Sequence, residues 1–125
     1  MGRWSRVVAY FILIITVFVI VMPVGTAQAL SLSRWCKEMG GQQVGSTCTL
    51  AAGKMAEVVK SLDVPPGLTL INQGTINNHG TIGISGLVRN EGTINNYGII
   101  RNYGTIINCG FINGNEITGN APKGC

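Results

Sequence analysis

Residues 68–121 divide into nine consecutive units of six: LTLINQ, GTINNH, GTIGIS, GLVRNE, GTINNY, GIIRNY, GTIINC, GFINGN and EITGNA. Glycine opens seven of these in succession, at 74, 80, 86, 92, 98, 104 and 110, with no insertion. The third column is Leu70, Ile76, Ile82, Val88, Ile94, Ile100, Ile106 and Ile112. The fifth is Asn72, Asn78, Asn90, Asn96, Asn102, Asn108 and Asn120, broken by Ile84 and Gly114. A period of six is a whole multiple of the strand period of two and does not match the 3.6 residues of a helical turn. Positions one, three and five therefore share a face, and its aliphatic column must be the buried one. Glycine at position one suits a corner that needs positive φ or a close backbone approach. Asparagine at position five can bond the turn backbone before each glycine. Each unit is then a short strand plus a bend, and the chain winds around a narrow core as a β-solenoid.

If three units close one coil, residues 18 apart stack. Asn72, Asn90 and Asn108 then form one ladder, and Ile76, Ile94 and Ile112 one interior column. Outside, His79 lies under Tyr97 and Thr75 under Thr93. Fifty-four residues make about three coils, a stack of roughly 14 Å at the ~4.8 Å strand spacing. The expected fold class is all-β: a short parallel β-helix behind a disulfide-closed N-terminal cap.

The chain begins with features of export. Met1-Gly-Arg-Trp-Ser-Arg6 is a short positive segment, residues 7–22 are almost wholly apolar, and Ala27-Gln28-Ala29 is a small-x-small cleavage site. Sixteen apolar residues span about 24 Å as a helix, short of the roughly 30 Å of a hydrocarbon core. Residues 1–29 therefore read as a signal peptide that meets the membrane only transiently, and the protein as secreted or displayed at the cell surface. Cys36, Cys48, Cys109 and Cys125 all lie beyond it. An even set in an exported chain reads as two disulfides, and spacing favours Cys36–Cys48 and Cys109–Cys125 among three connectivities. No pair has CxxC spacing and His79 is the sole histidine, so a zinc site is not expected.

Around residue 68, Val64-Pro-Pro-Gly-Leu-Thr-Leu-Ile-Asn-Gln-Gly-Thr-Ile-Asn-Asn resembles the Gly-Thr-Ile-Asn-Asn repeats of secreted prokaryotic surface and adhesin-like proteins with parallel β-helix folds. The segment 36–50, with Gly40-Gly41 and Ser46-Thr-Cys-Thr-Leu50, resembles the cysteine-bracketed leader found before such repeats. The resemblance covers about residues 36–121 and implies architecture more than chemistry. Hexapeptide acyltransferases also wind in sixes, but their glycine directly follows the aliphatic residue, and here Asn, Gly, Arg or Ile does.

Residues 30–67 form an N-terminal leader, 68–121 the solenoid and 122–125 a tail. Cys36 and Cys48 are expected to bracket a hairpin with Gly40-Gly41 at its tip. Residues 50–62 read either as one helical stripe of Met55, Val58, Val59 and Leu62 or as the first irregular strands, and Gly53 with Pro65-Pro66 after it favours strands. The leader is placed to cover the open edge of the first coil.

Few residues invite chemistry. Loss of residues 1–29 leaves seven Lys/Arg against five Asp/Glu, a net +2 with no basic cluster of the kind that marks nucleic-acid binding. His79 is the only imidazole and has no Ser or Cys at a recognisable spacing. Glu91 and Glu116 are the only acids in the repeat and do not cluster as glycoside chemistry requires. Arg89 and Arg101, twelve residues apart, fall on different faces. The position-two threonines are interrupted by Leu87, Ile99 and Phe111, which argues against an ice-binding array. None of the eleven asparagines lies in an Asn-x-Ser/Thr sequon, so these side chains read as structural. The expectation is a non-enzymatic, cofactor-free structural protein that assembles with copies of itself or adheres to a cell-surface polymer. Thr75, Thr93, His79, Tyr97 and Tyr103 are its candidate contacts. A monomeric glycan-binding module is the alternative, and a small carbohydrate-active or acyl-transfer enzyme using His79 the remote one.

Overall fold

The structure, a computed structural model, describes residues 30–125; the signal-peptide assignment lies outside them. In chain order the elements are β1 (Leu30–Ser31), α1 (Leu32–Glu38), β2 (Gln42–Val44), β3 (Thr47–Leu50), β4 (Met55–Val58) and β5 (Ser61–Val64). Next come β6 (Thr69–Asn72), β7 (Thr75–Asn78), β8 (Thr81–Ile84), β9 (Leu87–Asn90), β10 (Thr93–Asn96) and β11 (Ile99–Asn102). The last are β12 (Thr105–Asn108), β13 (Phe111–Gly114), β14 (Ile117–Gly119) and β15 (Lys123–Gly124). Every third strand stacks in parallel on its predecessor, giving three sheets around one core. Side one runs β2-β3-β6-β9-β12-β15, side two β4-β7-β10-β13, and side three β1-β5-β8-β11-β14. Among the described residues only the β2–β3 pair is antiparallel.

The fold is thus an all-β parallel β-solenoid of three-sided coils. Thr75 pairs with Thr93 and Thr93 with Phe111, so 18 residues close a coil through the repeat. Each of the first eight hexads supplies a four-residue strand and a two-residue corner. Positions three and five point inward along every side. Leu70, Ile76, Ile82, Val88, Ile94, Ile100 and Ile106 are buried. Ile112, in the same column, is half-buried because no full coil lies beyond it.

There are about four turns where the repeat predicts three. The extra one, β3-β4-β5, comes from the leader: Cys48 stacks on Leu70, Ala56 on Ile76 and Leu62 on Ile82. Its period is hidden because its corners are uneven. Four residues, 51–54, turn the chain between β3 and β4, two between β4 and β5, and four, 65–68, between β5 and β6. The chain therefore advances 22 residues from Thr47 to Thr69, and only 20 from Met55 to Thr75.

The N-terminal end is plugged by α1, where the sequence suggests a hairpin. Leu32, Trp35 and Cys36 recur at helical spacing and are buried on the core, and Trp35 Nε1 donates to the Glu57 carbonyl of β4 (3.1 Å). Arg34 and Glu38 form an exposed pair one turn apart (3.2 Å). Gly40 stops the helix at φ +74°, and the Gly41 N–H reaches back to the Cys36 carbonyl (2.8 Å), the longer bond of a Schellman turn. The β2–β3 hairpin turns at Gly45-Ser46 and not at Gly40-Gly41.

Both disulfides expected from spacing are formed, Cys36–Cys48 and Cys109–Cys125. Among the described residues no helix is long and apolar enough to cross a membrane. The bridges close loops of similar length, with separations of 12 and 16 residues. Their removal nevertheless has unequal consequences. Cys36–Cys48 is fully buried and ties the α1 plug to β3, so its double-alanine variant loses about 2–4 kcal/mol. Cys109–Cys125 holds only the exposed tail, which can fray in the native state once released, so the matching variant loses less than about 1 kcal/mol. Urea denaturation of the two variants measures the difference.

Candidate functional site

The polar interior is built from position five. Asn72 Nδ2 donates to Asn90 Oδ1 (2.8 Å), Asn90 Nδ2 to Asn108 Oδ1 (2.9 Å), and on side two Asn78 Nδ2 donates to Asn96 Oδ1 (2.8 Å). The second proton of each amide crosses to the next corner, at Thr93 O, Phe111 O and Ile99 O respectively. Asn72 and Asn78 Oδ1 accept from the N–H of Gly74 and Gly80, two residues on, as Asn102 and Asn108 do from Gly104 and Gly110. Asn96 and Asn102 Nδ2 end on the carbonyls of Asn115 and Asn120. No asparagine has positive φ, so hydrogen bonding, and not left-handed geometry, selects the residue.

Asn120 is not a rung of that ladder. Ile117 pairs with Ile100, 17 residues back, which places Gly119 opposite Asn102 and leaves Asn120 exposed in the corner. One residue has dropped out of the hexad phase between β13 and β14. Asn108, beside the open end, is half-buried.

The outer face of side two gathers most of the expected contact residues. Thr75 and Thr93 are neighbours in register, with Met55 below and Phe111 above them. His79 and Tyr97 stack at 5.0 Å between ring centres, with planes inclined by 15°. Tyr103 follows β11 at the edge of side three, so it belongs to another corner and not to this surface.

Sequence reading missed two parts of this face. Glu57, from the leader coil, lies 3.2 Å from His79 Nε2, an ion pair when the imidazole is protonated, and accepts from Asn77 Nδ2 (2.9 Å). Above it a second amide ladder runs outside the core: Asn95 Nδ2 donates to Asn77 Oδ1 (2.9 Å) and Asn113 Nδ2 to Asn95 Oδ1 (3.2 Å). The 18-residue spacing of Asn77, Asn95 and Asn113 at position four carries that signal in the sequence. Glu57 left none, since its alignment depends on the uneven leader corners.

No family model, curated protein or solved structure matches this chain.

Chemically, the outer face of side two carries the Asn77, Asn95 and Asn113 amides, the two hydroxyls of Thr75 and Thr93 between Met55 and Phe111, and one stacked ring pair at its edge. One edge of His79 is engaged by Glu57 and one ring face by Tyr97. Arg89 and Arg101 stand on sides one and three, separate as expected, and Arg89 lies 3.7 Å from Glu91. Among the described residues no three His, Cys, Asp or Glu side chains gather as a metal-binding group.

Proposed function

We propose that this is an exported, non-enzymatic surface protein that adheres to a cell-surface polysaccharide through the outer face of side two. The observation that carries the reading is the join of the Asn77–Asn95–Asn113 ladder to the stacked His79–Tyr97 pair. Amides and threonine hydroxyls offer both donors and acceptors to sugar hydroxyls. Tyr97, 60% exposed, offers an apolar ring face with a polar tip. The parallel ladders beneath hold these groups at a fixed repeat, so little ordering is needed on binding.

Growth end to end into a fibre has less behind it. The α1 plug and the β2 hairpin cover the N-terminal end, so a head-to-tail contact meets a cap and not an open coil.

Binding to a glycan array, followed by titration of the best ligand, tests the adhesive reading. The His79→Ala/Tyr97→Ala variant is expected to bind about tenfold more weakly, the ~1.4 kcal/mol of a lost aromatic contact, with its melting temperature unchanged. Silence across the array from folded protein, or equal binding by the variant, overturns the assignment.

A further inference from the structure

Gly83 is a glycine that the fold does not require. It sits at position four of β8, mid-strand, on the outer face of side three. The other position-four residues from β6 to β12 are Ile71, Asn77, Arg89, Asn95, Arg101 and Ile107. Glycine inside a strand weakens it and often marks a place where something approaches closely. Unlike the corner glycines, Gly83 has no backbone near its missing Cβ, which would meet only Asp63 Oδ1 at 2.9 Å, the end of a movable side chain. Its φ lies outside the left-handed region.

The neighbours show what the missing side chain leaves open. In register, Gly83 has Asp63 on one flank and Arg101 on the other. The whole middle rung is small, Thr81, Gly83 and Ser85, so β8 is the floor of a trough. Asp63 and Pro65-Pro66 form one bank, and Arg101 and Tyr103 the other, around a depression of about 450 Å³. Two rungs separate the flanking backbones by about 10 Å. Asp63 and Arg101 are both exposed and, among the described residues, neither is in an ion pair. The Asp63 carboxylate therefore reaches over the floor that Gly83 leaves without a side chain, and the opposite charge of Arg101 stands on the next rung.

We propose that this trough binds a small zwitterion of α-amino-acid size, its ammonium on Asp63 and its carboxylate on Arg101. The Asp63 carboxylate accepts from the ammonium, and the Arg101 guanidinium donates two parallel N–H bonds to the carboxylate. The Thr81 and Ser85 hydroxyls lie at the two ends of the floor, within the same depression. Tyr103, 71% exposed, walls the guanidinium side and gives an apolar surface to the ligand's side chain. A monovalent anion or cation satisfies one bank only. The site is independent of the adhesive face, which lies on another side of the prism.

The test is titration of the isotopically labelled, oxidised protein with glycine and with L-alanine, followed through backbone amide shifts. Saturable shifts at Asp63, Gly83 and Arg101 are expected, with acetate and methylammonium each at least tenfold weaker. Gly83→Leu displaces the Asp63 carboxylate, fills the trough and abolishes the saturable shifts, and Asp63→Asn and Arg101→Gln each weaken binding tenfold or more. Thermal melting of each variant verifies folding. No saturable shift with either amino acid, acetate binding as tightly as glycine, or wild-type binding by folded Gly83→Leu would each overturn the proposal.

Discussion

Gly98→Ala is expected to cost about 3–5 kcal/mol, far above the usual effect of adding one methyl group. The added Cβ would overlap the Gly80 carbonyl oxygen of the coil beneath, with Gly80 N and C at 3.0 Å. These are backbone atoms, fixed by the bonds from His79 and Gly80 N–H to the Val58 carbonyl and from Ile99 N–H to the Gly80 carbonyl (2.9–3.1 Å). No side-chain rotation relieves the clash. The coils must part, which breaks ladder bonds on both adjoining sides. Gly83→Ala is the control: the same change meets only the Asp63 carboxylate. It should be neutral or stabilising by up to about 1 kcal/mol, because alanine restricts the unfolded chain and glycine weakens a strand. Guanidinium denaturation of both variants measures the contrast, and equal losses would refute close coil stacking as the reason for the corner glycines.

That contrast separates what the repeat reveals from what it hides. Sequence reading leaves two explanations for the position-one column, positive φ or close approach. The structure selects the second, since Gly74, Gly80, Gly86, Gly92, Gly98, Gly104 and Gly110 all lack positive φ. The coil length, the interior column and the stacking of His79 on Tyr97 follow from counting by 18, because uninterrupted two-residue corners keep phase and register identical. Where corners change length the count fails, although the coil does not. This is why β3-β4-β5 escapes notice and why Asn120 is misassigned. Helix α1 escapes for a different reason: seven residues hold a single apolar stripe, too short to stand out beside two glycines and a cysteine.

The candidate sites divide along the same line. Thr75, Thr93, His79 and Tyr97 come together because they lie within the phased repeat, as do the outer asparagines. Glu57 and Asp63 belong to the leader coil, so their partners His79 and Gly83 could not be assigned by hexad arithmetic. Tyr103 shares position six with Tyr97 but lies one hexad further on, on the next corner of a three-sided coil.

Asn90→Leu is the second large effect expected, a loss of about 2–5 kcal/mol despite nearly conserved bulk. Asn90 accepts from Asn72 Nδ2 and donates to Asn108 Oδ1 and the Phe111 carbonyl. Leucine strands one proton of the buried Asn72 amide and takes a donor from the Phe111 carbonyl, and each orphaned group costs about 1–3 kcal/mol. Apolar residues do occupy position five elsewhere: Leu50 lies beneath Asn72, Val58 beneath Asn78, and Val64 and Ile84 beneath Asn102. In each case the aliphatic residue is on the N-terminal side, so no amide beneath it points an N–H into it. The ladder therefore has a direction, with donors aimed toward the C-terminal end, and leucine is harmful where it sits above an asparagine. Asn113→Ala, which removes an exposed outer rung bonded at 3.2 Å, should change stability by less than about 0.5 kcal/mol. Thermal denaturation distinguishes the accounts. If position five merely fills space, Asn90→Leu melts with the wild type, whereas a directional amide ladder requires that it melt far below Asn113→Ala.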